Sequence, residues 1–171
     1  MPTFATITHD AFVAAIHTLR DTIAASGWAP DFVIGIGRGG LTPAVYLSHA
    51  AGVPMLSVDH SSQVADFADD LLVRLAARTR AGERLLFLDD INDSGRTIAH
   101  IRAALAAAGA DAANIRVATL IDNIRSTERV DHAARVIDRH VMKDWFVFPW
   151  EAVAPAQSIA DDAAEVPGRI A

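Results

Sequence analysis

The sequence predicts an α/β fold, a parallel sheet flanked by helices, on three observations. Short apolar runs alternate with stretches of helical periodicity, one run of four apolar residues ends abruptly in two acids, and small or glycine-rich turns join strand to helix at two places. A strand that is apolar at every position is covered on both faces, as parallel strands are. The carboxyl edge of such a sheet is where open α/β folds bind ligands.

Thr8 can cap a helix over residues 9–26, whose Phe12, Ile16, Leu19 and Ile23 form one stripe before Gly27. Phe32-Val33-Ile34-Gly35-Ile36 reads as a strand, Gly37-Arg38-Gly39-Gly40 as a loop, and Leu41 to Ala51 as a helix closed by Gly52. Met55 to Val58 is the next strand. Residues 60–70 read as a mobile stretch, and Phe67, Leu71, Leu72 and Leu75 allow a helix that ends in an arginine-rich turn. Leu85 to Leu88 is a strand that breaks into solvent at Asp89. Ile98, Ile101, Leu105 and Ala108 then mark a helix over 97–108 that stops at Gly109. Ile115 to Ile121 and, more weakly, Ala134 to Ile137 read as further strands. Residues 152–171 are alanine, proline and acid without a period and are expected to form a loosely held tail. With no repeat and no linker, residues 1–151 form one domain with a core over about 28–140.

At 171 residues the chain buries about two-thirds of its unfolded surface without a staple. It has no cysteine, which excludes disulfides, thiolate catalysis and cysteine-ligated metals and points to a reducing, cytoplasmic setting. Its beginning lacks the pattern of a secretory signal and no apolar run is long enough for a membrane span, so no membrane partner is expected. A net charge of −6 argues against a nucleic-acid partner. The seven histidines show no metal-ligand spacing.

The chemistry concentrates in Asp89-Asp90-Ile91-Asn92-Asp93-Ser94-Gly95-Arg96-Thr97, where carboxylates and a small polar turn follow a buried strand and open a helix. Main-chain N–H groups of such a turn make an anion site. Gly35-x-Gly37-x-x-Gly40 is a second anion-ready turn. It fits the dinucleotide fingerprint, with Asp59 about twenty residues on, so an NAD(P)-dependent oxidoreductase is one alternative. That alternative puts a bulky Arg38 inside the tight turn and leaves residues 89–97 unexplained. Neither turn carries the Gly-Lys-Ser/Thr of a P-loop. Two anion turns on one sheet edge, with paired carboxylates between them, suit a ligand with two separated phosphate groups and a hydroxylated middle. Phosphoribosyl pyrophosphate has that shape.

Leu85 to Thr97 resembles the phosphoribosyl pyrophosphate motif of type I phosphoribosyltransferases: four apolar residues, two acids, two variable positions, then Asp-Ser/Thr-Gly-x-Thr. Gly35 to Gly40 with Pro43 is similar to the family's pyrophosphate loop, especially in the purine branch of xanthine-guanine and hypoxanthine phosphoribosyltransferases. Trp145-Phe146-Val147-Phe148-Pro149-Trp150-Glu151 is similar to that branch's aromatic hood over the base. The resemblance covers about residues 30–151.

The resemblance implies a type I phosphoribosyltransferase fold, with a small hood built from the N-terminal segment and residues 141–151. Asp89 and Asp90 would hold the ribose hydroxyls and a magnesium ion. Asp93, Ser94, Gly95, Arg96 and Thr97 would wrap the 5′-phosphate, with Gly95 allowing close backbone approach. Asp93 would serve as the base near purine N7, its protonated form favoured by the phosphate beside it. Gly37, Arg38, Gly39 and Gly40 would bind the departing pyrophosphate, Arg38 with a catalytic role, in a loop where the family often has a non-proline cis peptide. Trp145 would stack on the purine, Phe146 would offer main-chain groups to its edge, and Glu151 would stand near its exocyclic position. Asn123 stands where the purine branch has a lysine that donates to a 6-oxo group. It could donate to such a group or accept from a 6-amino group, and Lys143 or Arg125 could replace the missing cation. The implied activity is transfer of ribose 5-phosphate from phosphoribosyl pyrophosphate to a purine base, with hypoxanthine, guanine or xanthine favoured, in a cytoplasmic homo-oligomer, dimer or tetramer. The alternatives are an adenine or modified-base transferase and a non-catalytic regulator that binds phosphoribosyl pyrophosphate.

Overall fold

In a computed structural model that describes residues 3–59 and 69–164, the described residues form seven strands and five α-helices. In order these are β1 (Phe4–Thr6), α1 (His9–Ala25), β2 (Phe32–Ile36), α2 (Gly37–Ala51), β3 (Met55–Val58), α3 (Asp69–Arg80), β4 (Leu85–Asn92), α4 (Arg96–Ala107), β5 (Ile115–Asn123), β6 (His132–Ile137), β7 (Trp145–Val147) and α5 (Ala156–Ala164). Thr8 caps α1 by accepting from the Ala11 N–H at 3.2 Å, and its Phe12, Ile16, Leu19 and Ile23 are buried. The stretch expected to be mobile lies outside the described residues over 60–68, and α3 begins at Asp69.

The main sheet is parallel throughout, in the order β3-β2-β4-β5-β6. Leu86 and Leu88 of β4 join Phe12, Leu19 and Leu47 in a core under α1 and α2, while Leu85 and Phe87 join Leu75, Ile101 and Leu105 in a second core under α3 and α4. The all-apolar run of β4 is thereby covered on both faces, each fully buried leucine contributing about 1.5–3 kcal/mol. The chain leaves β2 toward β3 on one side and returns to β4 on the other. The crevice at the carboxyl ends of β2 and β4 is therefore the topological switch point of the sheet.

Four expectations change. The strand does not break at Asp89 but runs to Asn92, because β5 keeps pairing with it through Asn92↔Asp122. Gly37 to Gly40 form the first turn of α2 rather than a loop, and every peptide bond among the described residues is trans. The predicted tail contains α5, held by the burial of Ala163 beside half-buried Ile159. His132 and Ala133 extend β6, giving β5 a longer partner. A separate small parallel sheet pairs β1 with β7, Phe4↔Trp145 through Thr6↔Val147. The Thr3 hydroxyl bonds the Asp144 carboxylate at its edge.

Candidate active site

The glycines after β2 place α2 against β4. A Cβ on Gly40 would lie 2.1 Å from the Leu88 carbonyl oxygen, and one on Gly39 would lie 2.6 Å from Asp90 Oδ2. Only glycines let this first turn, uncapped by any side chain, sit directly beside the Asp90 carboxylate. Gly37 adopts φ 54°, the left-handed turn that starts the helix, and exposed Arg38 follows it.

Asp89 and Asp90 are half-buried, and no basic side chain pairs with either among the described residues. The Asp90 N–H donates to Asp89 Oδ1 at 3.0 Å. Burial, then the charge of Glu151, pushes the Asp90 carboxyl up to about 7, and burial, then Asp90, raises Asp89 well above the ordinary carboxylate range. Glu151 is raised as well, mainly by burial, while its Oε2 accepts from the Phe148 N–H at 2.8 Å and the charge of Arg38 acts in the opposite sense. Uncompensated oxygen donors with raised pKa values fit a hard divalent cation. No group of three metal-ligating side chains converges among the described residues.

The turn after β4 is braced from behind. Asn92 donates to Asp122 Oδ1 at 2.7 Å and to the Glu128 carbonyl at 2.9 Å, and accepts from the Ser126 hydroxyl at 2.8 Å. Thr127 donates its hydroxyl to the Ser94 carbonyl at 2.9 Å, and Arg102 of α4 pairs with Glu128 at 2.6 Å. Gly95 has φ 89°, and a Cβ there would meet Thr127 Oγ1 at 2.6 Å. Backbone conformation and this brace by themselves call for glycine here. The N–H groups of Ser94 and Gly95 have no acceptor among the described residues. Arg96 is exposed at the start of α4 and Thr97 is half-buried behind it.

Two residues lie differently from expectation. Asn123 is 1 % exposed and its side chain is committed to protein: Nδ2 donates to the Asp93 carbonyl at 3.0 Å, and Oδ1 accepts from the N–H groups of Arg125 at 3.1 Å and Arg139 at 3.2 Å. A buried amide with its donors and acceptor in use does not open to a ligand. The Asp93 carboxylate is held by Arg139, Nε to Oδ1 and Nη2 to Oδ2, each at 3.0 Å. Nothing in the sequence separates Arg139 from the surface arginines around it, so it was missed. Arg125 pairs with Asp138 at 2.9 Å, and Lys143 is exposed.

On β7, Trp145 is half-buried, and its N–H donates to the Thr3 carbonyl at 2.8 Å. Phe146 is buried beneath Arg139. Trp150 stacks on Phe148 at 4.8 Å and meets Phe12 edge-on, which makes it part of the core.

The chain matches the family described as phosphoribosyl transferase domain over residues 6–156. It belongs to that family. The match spans the switch-point crevice and both turns, and the parallel sheet flanked by helices is the type I phosphoribosyltransferase fold. The chain is accordingly a phosphoribosyltransferase. A sequence search of curated proteins finds no match. Similar solved structures include a purine phosphoribosyltransferase from Pyrococcus horikoshii, 24 % identical over 88 % of this chain and 96 % of that one, TM-score 0.63. The xanthine-guanine-hypoxanthine phosphoribosyltransferase of Helicobacter pylori is 16 % identical over 87 % and 94 %, TM-score 0.65. A hypothetical protein from Neisseria gonorrhoeae with bound ppGpp is 21 % identical over 96 % and 98 %, TM-score 0.69.

Proposed function

We propose that this phosphoribosyltransferase moves ribose 5-phosphate from phosphoribosyl pyrophosphate to a ring nitrogen of a purine, releasing pyrophosphate, with hypoxanthine, guanine or xanthine as the favoured bases. The observation that carries this is the close packing of the uncapped α2 first turn on Asp90, which supports an anion site beside the acid pair, with the Ser94–Gly95 turn as the second. Pyrophosphate binds at Arg38 and the N–H groups of Gly39 and Gly40. Charge gathers on that group as the anomeric carbon becomes cationic, so fixed donors there favour the transition state over the substrate. The 5′-phosphate binds at Ser94, Gly95 and Thr97. Asp89 and Asp90 would hold the ribose hydroxyls and magnesium, which would supply positive charge beside the pyrophosphate.

Trp145 stacks on the base, under a hood made of the β1–β7 sheet and the segment to Glu151, and main-chain groups of Phe146 read the purine edge. Because Asn123 is committed to Asp93, no side chain at that position reads the 6-substituent, which keeps a 6-amino purine as the second reading. The enzyme acts in the cytoplasm as a homo-oligomer. Incubating purified protein with magnesium, phosphoribosyl pyrophosphate and each purine in turn, then identifying products by mass, tests the proposal. A nucleoside monophosphate formed in step with pyrophosphate is the expected result. Failure to form one with every purine rejects it.

A further inference from the structure

Among the described residues Arg139 is the only buried arginine, lysine, aspartate or glutamate, at 2 % exposure. Its fork meets both oxygens of Asp93 at 3.0 Å. The remaining nitrogen, Nη1, donates to the Asp144 carbonyl at 2.6 Å and the Met142 carbonyl at 3.4 Å, and the guanidinium lies 5.1 Å above the Phe146 ring. One side chain thus joins the turn after β4 to the strand that carries Trp145 and Phe146. A buried ion pair is no more stabilising than a well-packed apolar substitute, so stability alone does not call for a guanidinium here. What the fork supplies is geometry: two parallel bonds fix the plane of a carboxylate that would otherwise rotate.

We infer that Arg139 is a positioning residue for phosphoribosyl transfer: it holds Asp93 as a fixed acceptor for an N–H of the purine imidazole ring and ties that acceptor to β7. The inference rests on the purine transfer proposed above. A hydrogen on the imidazole nitrogen facing Asp93 leaves the other imidazole nitrogen with a free lone pair. That lone pair forms the bond to the anomeric carbon as the bond to pyrophosphate breaks, the electron pair leaving with pyrophosphate. The N–H proton departs through Asp93 to water. Both Asp93 oxygens already accept from Arg139, and 9 % of the Asp93 side chain remains exposed.

Steady-state kinetics of Arg139→Lys, Arg139→Met, Asp93→Asn and Asp93→Asn/Arg139→Met, with thermal melts and calorimetric binding of magnesium and phosphoribosyl pyrophosphate, test this. Arg139→Lys keeps the charge but loses the fork. It is expected to lower kcat about 10-fold or more while phosphoribosyl pyrophosphate binds within about 2-fold of the parent. The double variant is expected to have kcat no lower than Asp93→Asn alone, because Arg139 acts through Asp93. Should Arg139→Met fail to fold, the lysine and double variants still decide. Loss of melting temperature with kcat per folded enzyme unchanged overturns the inference and leaves a structural ion pair. A parent protein inactive on every purine overturns the transfer reaction and this inference with it; an active parent with indifferent Arg139 variants overturns this inference alone.

Discussion

No neighbouring cation among the described residues pairs with Asp89 or Asp90, so ionising this half-buried pair is costly to the fold. In the metal-free protein the Asp90 carboxyl, pushed up to about 7, keeps a proton that the unfolded chain has released by about pH 4. Between those values the folded state binds more protons, so its stability falls as pH rises through the window. Thermal melts from pH 4.5 to 7.5 without metal are expected to show that decline. Replacing both by Asn is expected to raise the melting temperature at pH 7.5 by several degrees while abolishing transfer, a trade of stability for function. An unchanged or lower melting temperature in the double variant would show that the pair is already compensated. Residue identity along this stretch was legible because a fully apolar run followed by acids has few structural explanations. Arg139 was not: it lies in Asp138-Arg139-His140, a polar run that reads as surface, and only the meeting of β6, β7 and the turn after β4 buries it. Asn92, a variable position of the motif, proves to be a buried brace for the same reason, since its partners Asp122, Ser126 and Glu128 lie 30 or more residues away.

Among the elements, α2 carries the most specific demand. Its glycines looked like a flexible phosphate loop, but their absent side chains serve contact between helix and strand, at 2.1 Å for a Cβ on Gly40 against a backbone oxygen that cannot move aside. Gly40→Ala is expected to cost about 3 kcal/mol or more, by lifting α2 from β4, and urea unfolding measures it. Pyrophosphate affinity should fall in the same variant, because the turn no longer sits beside Asp90. Helical stripes and caps made α1 and α4 readable to within a residue or two. The ends of β4 and β5 were less so, because their continuation past the apolar run depends on mutual pairing between Ile91–Asn92 and Ile121–Asp122. Helix α5 shows no apolar period over more than two turns; within it Ala163 is buried and Ile159 and Ala160 are half-buried.

Across the whole molecule, the order β3-β2-β4-β5-β6 places two strand-to-helix turns on either side of one crevice, and Trp145 of β7 stands in the chain segment that runs on to Glu151, whose charge acts on Asp90. Alternation of strands and helices foretold the layers, but not the parallel pairing of β1 with β7, which joins residues about 140 positions apart. Trp145→Ala is expected to raise KM for the base about 10-fold or more, the value of one lost stacking contact, with phosphoribosyl pyrophosphate binding within about 2-fold of the parent. Equal losses for both substrates would place Trp145 in the core instead. Calorimetric titration of phosphoribosyl pyrophosphate into the full chain, with and without magnesium, tests the crevice itself. Saturable binding at one site per chain, strengthened by magnesium and lost in Asp89→Asn/Asp90→Asn, is the result expected; binding that ignores both the metal and the acid pair would contradict it.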